Sequence, residues 1–269
     1  MTSDADGTMT RAGDGVFGAI LREIVRGGIA GAVTGAVVAG AGGRVVMRLA
    51  ALAVPGSAGS VTANGNVIGD ITPVGTFALI AFGSFVGLLA GAIWVAVAPW
   101  VPGAGIRRAI AAMPVALAVG GIGLIEGDNV DFRVLDHDTL VVALLVGLVA
   151  AVGFVVPLVD DLLDRWLPRA ALASQGRSAV YAILAGIGGI LTLPFVVGSM
   201  FDSSPARAAA GLAFLATSAA TLWWWKGRIE GIAAPSRPLA RVGRWSLAAV
   251  VLFGLIDLLP EVREALGLA

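Results

Sequence analysis

Seven apolar stretches of roughly 16 to 25 residues run through this chain, and the short segments between them hold nearly all of its charge. The hydrocarbon core of a bilayer is about 30 Å thick, so a helix needs about 20 apolar residues to cross it. Backbone amides find no water in lipid, and helices satisfy them within each segment. The alternation of a membrane barrel is absent. The pattern therefore predicts an all-α fold, a polytopic transmembrane helical bundle.

The predicted spans form one membrane domain over residues 16–269, which follows a disordered polar segment over residues 1–15. The spans are Gly27 to Val46, Val74 to Ala98, Ala109 to Ile125, Leu140 to Leu158, Ala179 to Met200, Ala208 to Trp225 and Trp245 to Leu259. The last span is barely long enough to cross and contains Asp257. Six spans are therefore the alternative, with the last stretch tilted or packed along an interface.

Composition agrees with a chain embedded in lipid. Of the 269 residues, 58% are hydrophobic and 13% are charged, and the mean hydropathy is +0.92, which leaves too little polar surface for a water-soluble globule. The 18 basic and 18 acidic residues cancel, which argues against nucleic acid as a partner. Basic residues that are almost all arginine, together with abundant alanine, glycine and valine, indicate a GC-rich bacterium, so we expect the bacterial plasma membrane.

The distribution of basic residues predicts the orientation of the bundle. With the N-terminus in the cytoplasm, about 13 of the 18 basic residues fall in cytoplasmic segments, as the positive-inside rule favours. They are Arg11, Arg22, Arg26, Arg107, Arg108, Arg165, Arg169, Arg177, Lys226, Arg228, Arg237, Arg241 and Arg244. All seven tryptophans, including Trp94 and Trp100, fall near the predicted inner boundary, where indoles anchor helices at the interface.

Small residues recur every four positions in the first two spans. They are Gly27, Gly31, Gly35, Ala39 and Gly43 in the first span, and Gly83, Gly87 and Gly91 in the second. Because small residues at this spacing let helix backbones approach closely, we expect the two spans to form a tight hairpin. The alternative is that glycine only reflects genome composition. Thr72 followed by Pro73 predicts the cap and first turn of the second span.

The segment from Val159 to Pro168 alternates aspartates with leucines and Trp166. This pattern is typical of a short amphipathic helix that lies on the membrane surface, and a partner-binding helix would show the same pattern. We expect the surface helix, because Arg165 and Arg169 would reach anionic headgroups.

The candidate binding site is an arginine pair near the predicted outer face. Arg44 and Arg48 lie one turn apart at the end of the first span, on one helix face. They either extend to the boundary and pair with acids, or grip phosphate or carboxylate groups, for which lipid headgroups are the simplest ligand. The candidate anion, lipid or ion-pair site comprises Arg44, Arg48, Asp70, Glu126 and Asp257, with Asp128 as a further acid on the same side.

No motif for catalysis or for a cofactor occurs in the chain. Gly-x-Ser-x-Gly, His-Glu-x-x-His, the Walker loop and the dinucleotide-binding glycine motif are all absent, so we expect neither an enzyme nor an ATP-driven machine. The chain has no cysteine, which removes thiolate catalysis and cysteine metal sites. His137 is the one histidine and lies among acids in a predicted loop, where a solvated side chain is expected rather than a metal ligand.

Three short motifs resemble a group of multi-pass membrane proteins common in actinobacteria and related bacteria. They are Arg44-Val45-Val46-Met47-Arg48, Gly69-Asp70-Ile71-Thr72 through Gly75-Thr76, and Asn129-Val130-Asp131-Phe132. The resemblance covers roughly the first 160 residues and implies no assigned activity. Where that group tends to carry Asn-Pro-Asp-Phe, this chain has Val130, so a turn role for that proline does not carry over.

We therefore expect a structural, regulatory or binding component of the bacterial plasma membrane. Its expected partners are the lipid bilayer, anionic lipid headgroups and other membrane subunits. The alternative is a small permease, or a lipid- or anion-binding transporter, that uses the arginine pair near the outer face.

Overall fold

A computed structural model describes residues 4–54, 56–57, 59–60, 69, 72–121, 125, 138–167, 180, 182–190, 198 and 204–268. Helix α1 (Asp4–Thr34) continues through a π-helical segment (Gly35–Ala41) into α2 (Gly42–Ala53), and is followed by α3 (Pro73–Val97), α4 (Ile106–Gly120), α5 (Thr139–Trp166), α6 (Pro205–Ile229) and α7 (Arg237–Ala265). Residues 182–190 are also helical. No strand occurs in these ranges, so the predicted all-helical bundle is confirmed. Helix α1 includes residues that we expected to be disordered.

Four helical stretches are long and apolar enough to cross a membrane, rather than the seven expected. They are Val16–Ala53, Pro73–Val97, Thr139–Trp166 and Arg237–Ala265. Helix α4 has 15 residues and rises only about 22 Å. Helix α6 has 25 residues, but polar threonines and a run of three tryptophans interrupt its aliphatic sequence. Half of the span predicted over residues 179–200 lies outside the described residues, whereas the doubtful last span is part of the 29-residue helix α7.

One end of the bundle gathers charged residues from several helices, and we call it the Arg22 end. Arg22 of α1 donates to a carboxylate oxygen of Asp164, near the end of α5, at 2.7 Å, and to the carbonyl oxygen of Leu167 at 2.9 Å. Arg228, near the end of α6, pairs with Glu23 of α1 at 2.8 Å. The part of α1 around Arg22 and Glu23 and the ends of α5 and α6 therefore lie together.

The opposite end of the bundle, which we call the Arg207 end, contains the start of α6 and the final turns of α7. Arg207 donates from Nε to Oδ2 of Asp257 at 3.0 Å. Ser204 caps α6 here by accepting a hydrogen bond from the backbone N–H of Arg207. Because α6 begins at this end and finishes at the Arg22 end, α6 and α7 form an antiparallel hairpin.

The glycine-rich faces of α1 and α3 pack backbone against backbone. A Cβ added to Gly31 would lie 2.6 Å from the Cα of Gly91, and one added to Gly35 would lie 2.6 Å from the Cα of Gly87. No side chain fits at such separations, so the helices approach as closely as their backbones permit. The predicted tight hairpin of the first two spans is confirmed.

The π-helical segment changes which residues continue this interface. Beyond Gly35 the next residue against α3 is Gly40, where a Cβ would lie 2.7 Å from the Cα of Ile80. Gly43 has nothing within 4 Å. A π-helical turn holds an additional residue, which moves the small-residue face forward by one position. The extension of the ridge through Ala39 and Gly43 was therefore wrong.

The predicted surface helix from Val159 to Pro168 is wrong, because α5 continues without a break to Trp166. Asp160 is only 2% exposed and faces α1. Asp160 and Asp164 lie four residues apart, as do the arginines of α1 that bind them. Their alternation with leucine reflects one helix face that carries ion pairs and another that is apolar.

Two of the tryptophans belong to the core rather than to an interfacial belt. Trp94 and Trp100 are 4% and 3% exposed, whereas Trp166 and Trp245 are 79% and 74% exposed. Trp100 donates from Nε1 to Oγ1 of Thr221 at 2.8 Å, which joins the segment after α3 to α6. An indole near a predicted membrane boundary can therefore pack into the core, as well as anchor at the interface, when its N–H has a hydrogen-bond acceptor there.

Candidate functional site

Helices α3 to α7, together with Ala39 of the π-helical segment, surround an apolar cavity of about 310 Å³. Each helix contributes to its wall, for example through Leu89, Val119, Val152, Gly211 and Val250. Among the described lining residues, only Trp94 and Arg207 carry polar side-chain atoms. The volume lies at the lower end of the range of about 300–1,000 Å³ typical of small-molecule sites. Such a wall accommodates hydrocarbon, whereas a polar solute would lose its hydrogen bonds to water without replacement.

The cavity is elongated along the bundle. On α3 its wall extends from Phe82 to Val97, and that length of α-helix rises about 22 Å. One leaflet contributes about 15 Å of the hydrocarbon core. A volume of about 310 Å³ distributed over this length suits an extended hydrocarbon chain.

The cavity opens on the side of the bundle. Phe82 and Phe85 line it, yet they are 54% and 36% exposed. Both residues therefore belong to the cavity wall and to the outer surface of α3. An apolar opening on an apolar surface admits a hydrocarbon chain without exposing it to water.

At the Arg22 end, the indole of Trp94 closes the wall and is held by a buried carboxylate. Nε1 of Trp94 donates to Oδ2 of Asp160 at 3.1 Å. Oδ1 of the same carboxylate accepts from Nε of Arg26 at 2.6 Å, and Arg26 also contacts Asp164. A buried carboxylate is stable only when its charge is paired and its oxygens accept hydrogen bonds, and both conditions are met here.

Arg108 holds the other side of the same indole. Its guanidinium carbon lies 4.7 Å from the centroid of the Trp94 ring, within the range of a cation–π interaction. It also donates to the carbonyl oxygen of Ala98 at 2.6 Å, which accepts at the end of α3 where the helix dipole is negative. The position of Trp94 is thus fixed from α4 and α5 at once.

At the Arg207 end, the lining residue Arg207 is held by α7. Besides its bond to Asp257, its Nη2 lies 3.9 Å from Oε1 of Glu261. The side chain of Asp257 is 5% exposed and that of Arg207 is 17% exposed, so this pair is largely shielded from water. Both polar residues of the described wall are therefore anchored by carboxylates.

The predicted arginine pair meets the segment that leads into α3. Arg48 donates from Nη1 to the carbonyl oxygen of Gly69 at 2.9 Å. Arg44 is 7% exposed, and its guanidinium lies where a Cβ on Gly75 would overlap it. Thr72 caps α3 by accepting from the backbone N–H of Gly75 at 3.1 Å, with Pro73 in the first turn. The predicted cap is confirmed, and the motif glycines lie against the arginines.

The other members of the predicted site are not all brought together. Asp257 pairs with Arg207 and not with Arg44 or Arg48, because it faces α6 across the α6–α7 hairpin. That part of the predicted cluster is wrong. Asp70, Glu126, Asp128 and His137 lie outside the described residues.

Asp160 and Arg207 are functional candidates that were not predicted from the sequence. Asp160 and Asp164 have the same four-residue spacing as Arg22 and Arg26, but the spacing alone does not show that the two pairs face each other. No local signal identifies Arg207, because its partner lies fifty residues away.

In the part of the chain that the structure describes, no three acidic or histidine side chains converge as a metal site would require. No model of a protein family, no curated protein and no solved structure matches the chain. The cavity and its two anchored ends are therefore the features on which a function is argued.

Proposed function

We propose that this chain is an integral protein of the bacterial plasma membrane that binds one hydrocarbon chain of a lipid in the cavity among α3 to α7. The observation that carries the proposal is the side opening at Phe82 and Phe85, which leads into an almost wholly apolar wall. Within a bilayer this opening would face lipid acyl chains. The role is one of binding, in agreement with the absence of a catalytic motif from the sequence.

A lipid chain fits the cavity better than the solute of a permease does. A polar solute needs convergent hydrogen-bonding groups, and the described wall offers only Trp94 and Arg207. Both side chains already bind carboxylates, Asp160 and Asp257. The alternative of an anion transporter that uses Arg44 and Arg48 receives less support, because Arg48 already binds the carbonyl of Gly69.

We also propose that the chain crosses the membrane seven times, with its N-terminus in the cytoplasm. Leu167 after α5 lies at the Arg22 end, whereas Ser204 before α6 lies at the Arg207 end. These two residues lie at opposite ends of the bundle, which supports a seventh crossing between α5 and α6. Cytoplasmic placement of the Arg22 end agrees with the excess of basic residues there.

The binding proposal is tested by filling the cavity. Val152 lines the wall, and Val152→Phe would occupy part of its volume. Val33 of α1 is 47% exposed, so Val33→Phe makes the same chemical change on the outer surface and serves as the control. Binding of a fluorescent polyene fatty acid to the purified protein, and the lipids retained in native mass spectrometry, are compared for both variants.

We expect Val152→Phe to lower the affinity for the fatty acid about tenfold or more and to reduce the retained lipid, while Val33→Phe keeps both. A large phenyl group in a site that holds one chain leaves no room for that chain. Equal binding by the two variants, with both folded, would reject the cavity as the binding site.

A further inference from the structure

The first turns of α7 carry a face of three arginines. Arg237, Arg241 and Arg244 are all exposed, and their spacing of four and three residues places them within one narrow arc of the helix. A different side of α7 is packed, since Gly243 and Leu247 are buried. The arginines therefore point away from the bundle as a group. We call these three residues the α7 basic face.

The arginines of the α7 basic face differ from the other basic residues at this end of the bundle. Within the described ranges none of the three forms an ion pair, whereas Arg26 and Arg228 are bound by carboxylates. The first turn of α7 contains no acidic residue. A helix N-terminus carries partial positive charge, so three cations in the opening turns repel the helix dipole as well as each other. An anion from outside the chain would relieve this repulsion.

The position of the α7 basic face indicates which anion is available. Arg244 is followed directly by Trp245, which is 74% exposed, and the apolar part of α7 begins there. An exposed indole next to an apolar helix is typical of the boundary between headgroups and hydrocarbon. Arg244 therefore lies at that boundary, and Arg241 and Arg237 lie about one and two turns beyond it, at the level of lipid phosphates.

We propose that the α7 basic face is a binding site for the headgroup of an anionic phospholipid. A guanidinium binds phosphate through two parallel N–H donors, and several arginines on one face provide such donors from adjacent turns. The occupant is a lipid because the site adjoins the apolar surface that receives its chains. The site lies on the outside of α7 and does not depend on the cavity proposal.

The test compares two double variants. One removes two charges from the α7 basic face, and the other removes two charges from other helices at the Arg22 end. Arg241→Gln with Arg244→Gln removes two charges from the site, and Arg107→Gln with Arg165→Gln removes two from exposed arginines of α4 and α5. Binding of phosphatidylglycerol and of phosphatidylcholine to the purified protein is titrated by native mass spectrometry. A third variant, Arg241→Lys with Arg244→Lys, keeps the charge.

We expect the first variant to bind phosphatidylglycerol about 30-fold more weakly, since each charge at such a surface contributes roughly a fivefold change. The control double variant should stay within about twofold of the original protein. The lysine variant keeps the charge but loses the paired donors, so it should bind more weakly than the original protein and more tightly than the glutamine variant, and phosphatidylcholine binding should not change. Equal weakening by the two glutamine variants, or unchanged phosphatidylglycerol binding by the first, would overturn the proposal. If the first variant fails to fold, the lysine variant decides, because unchanged phosphatidylglycerol binding without the paired guanidinium donors would contradict the site.

Discussion

Trp94 and Asp160 join the wall of the cavity to the ion pairs at the Arg22 end through one hydrogen bond of 3.1 Å. The indole lines the cavity, and the carboxylate that holds it also binds Arg26 of α1. The packing of α1 on α5 and the position of the cavity wall therefore depend on the same aspartate. A change at this carboxylate should alter stability and binding together.

Replacing Asp160 with alanine should destabilise the protein strongly. The variant leaves Arg26 without its buried partner and Trp94 without an acceptor, and the loss of one member of a buried ion pair costs about 3–5 kcal/mol. We expect the free energy of unfolding in detergent to fall by that order. Asp161→Ala is the matched control, because the side chain of Asp161 is 40% exposed and 3.9 Å from Arg108. Its effect should stay below about 1 kcal/mol, and equal losses in the two variants would contradict the assigned role.

The role of Asp160 could not be predicted from the sequence, although the helices that carry it could. A run of aspartates between leucines matches a helix on the membrane surface as well as a helix end that is clamped to a neighbour. The two cases differ only in whether Arg22 and Arg26 of α1 face the aspartates of α5. Such a contact joins residues more than 130 positions apart in the sequence. Local periodicity carries no information about contacts of that separation.

The effect of a glycine-to-alanine substitution on stability should depend on whether the glycine lies in the interface between α1 and α3. Gly35→Ala should destabilise the protein, because the added Cβ would lie 2.6 Å from the Cα of Gly87 and force α1 away from α3. Gly147 of α5 has nothing within 4 Å, so Gly147→Ala should be neutral or stabilise by up to about 1 kcal/mol through helix propensity. Thermal unfolding followed by size-exclusion chromatography compares the variants. A loss for both substitutions alike would contradict the close packing.

The same interface shows where a repeated spacing stops being predictive. Small residues every four positions correctly predicted the contacts of Gly31 and Gly35 with α3. The register then shifts to Gly40 because the backbone changes from α- to π-helical over Gly35–Ala41. That change is a property of the packed pair of helices, and the residues within the segment are ordinary alanine, glycine and valine.

A double-mutant cycle on Arg207 and Asp257 should show strong coupling. Each of Arg207→Gln and Asp257→Asn leaves a largely buried charge without this partner, whereas the double variant leaves neither. We expect the two single losses of unfolding free energy to exceed the double loss by about 1–3 kcal/mol. If the two single losses sum to the loss of the double variant, the pair contributes little to stability and Arg207 is held by other contacts.

The orientation of α7 can be tested because the chain has no cysteine of its own. Ala234 precedes α7 at the Arg22 end and is exposed, and Leu268 follows it at the other end and is 61% exposed. In intact cells, a membrane-impermeant maleimide should label Leu268→Cys at once and Ala234→Cys only after permeabilisation. The reverse pattern would place the basic segments outside and would invert the proposed topology.

The proposed crossing between α5 and α6 gives the sharpest test of the proposed span count. Trp166 ends α5 at the Arg22 end and is 79% exposed, while Pro205 begins α6 at the Arg207 end and is exposed. If the intervening chain spans the bilayer, Trp166→Cys should react with the impermeant maleimide only after permeabilisation, and Pro205→Cys should react in intact cells. Labelling of both cysteines from the same side would mean that the chain does not cross the bilayer between α5 and α6. Because α5 and α6 point in the same direction within the bundle, they could not then both cross the bilayer in the proposed orientation.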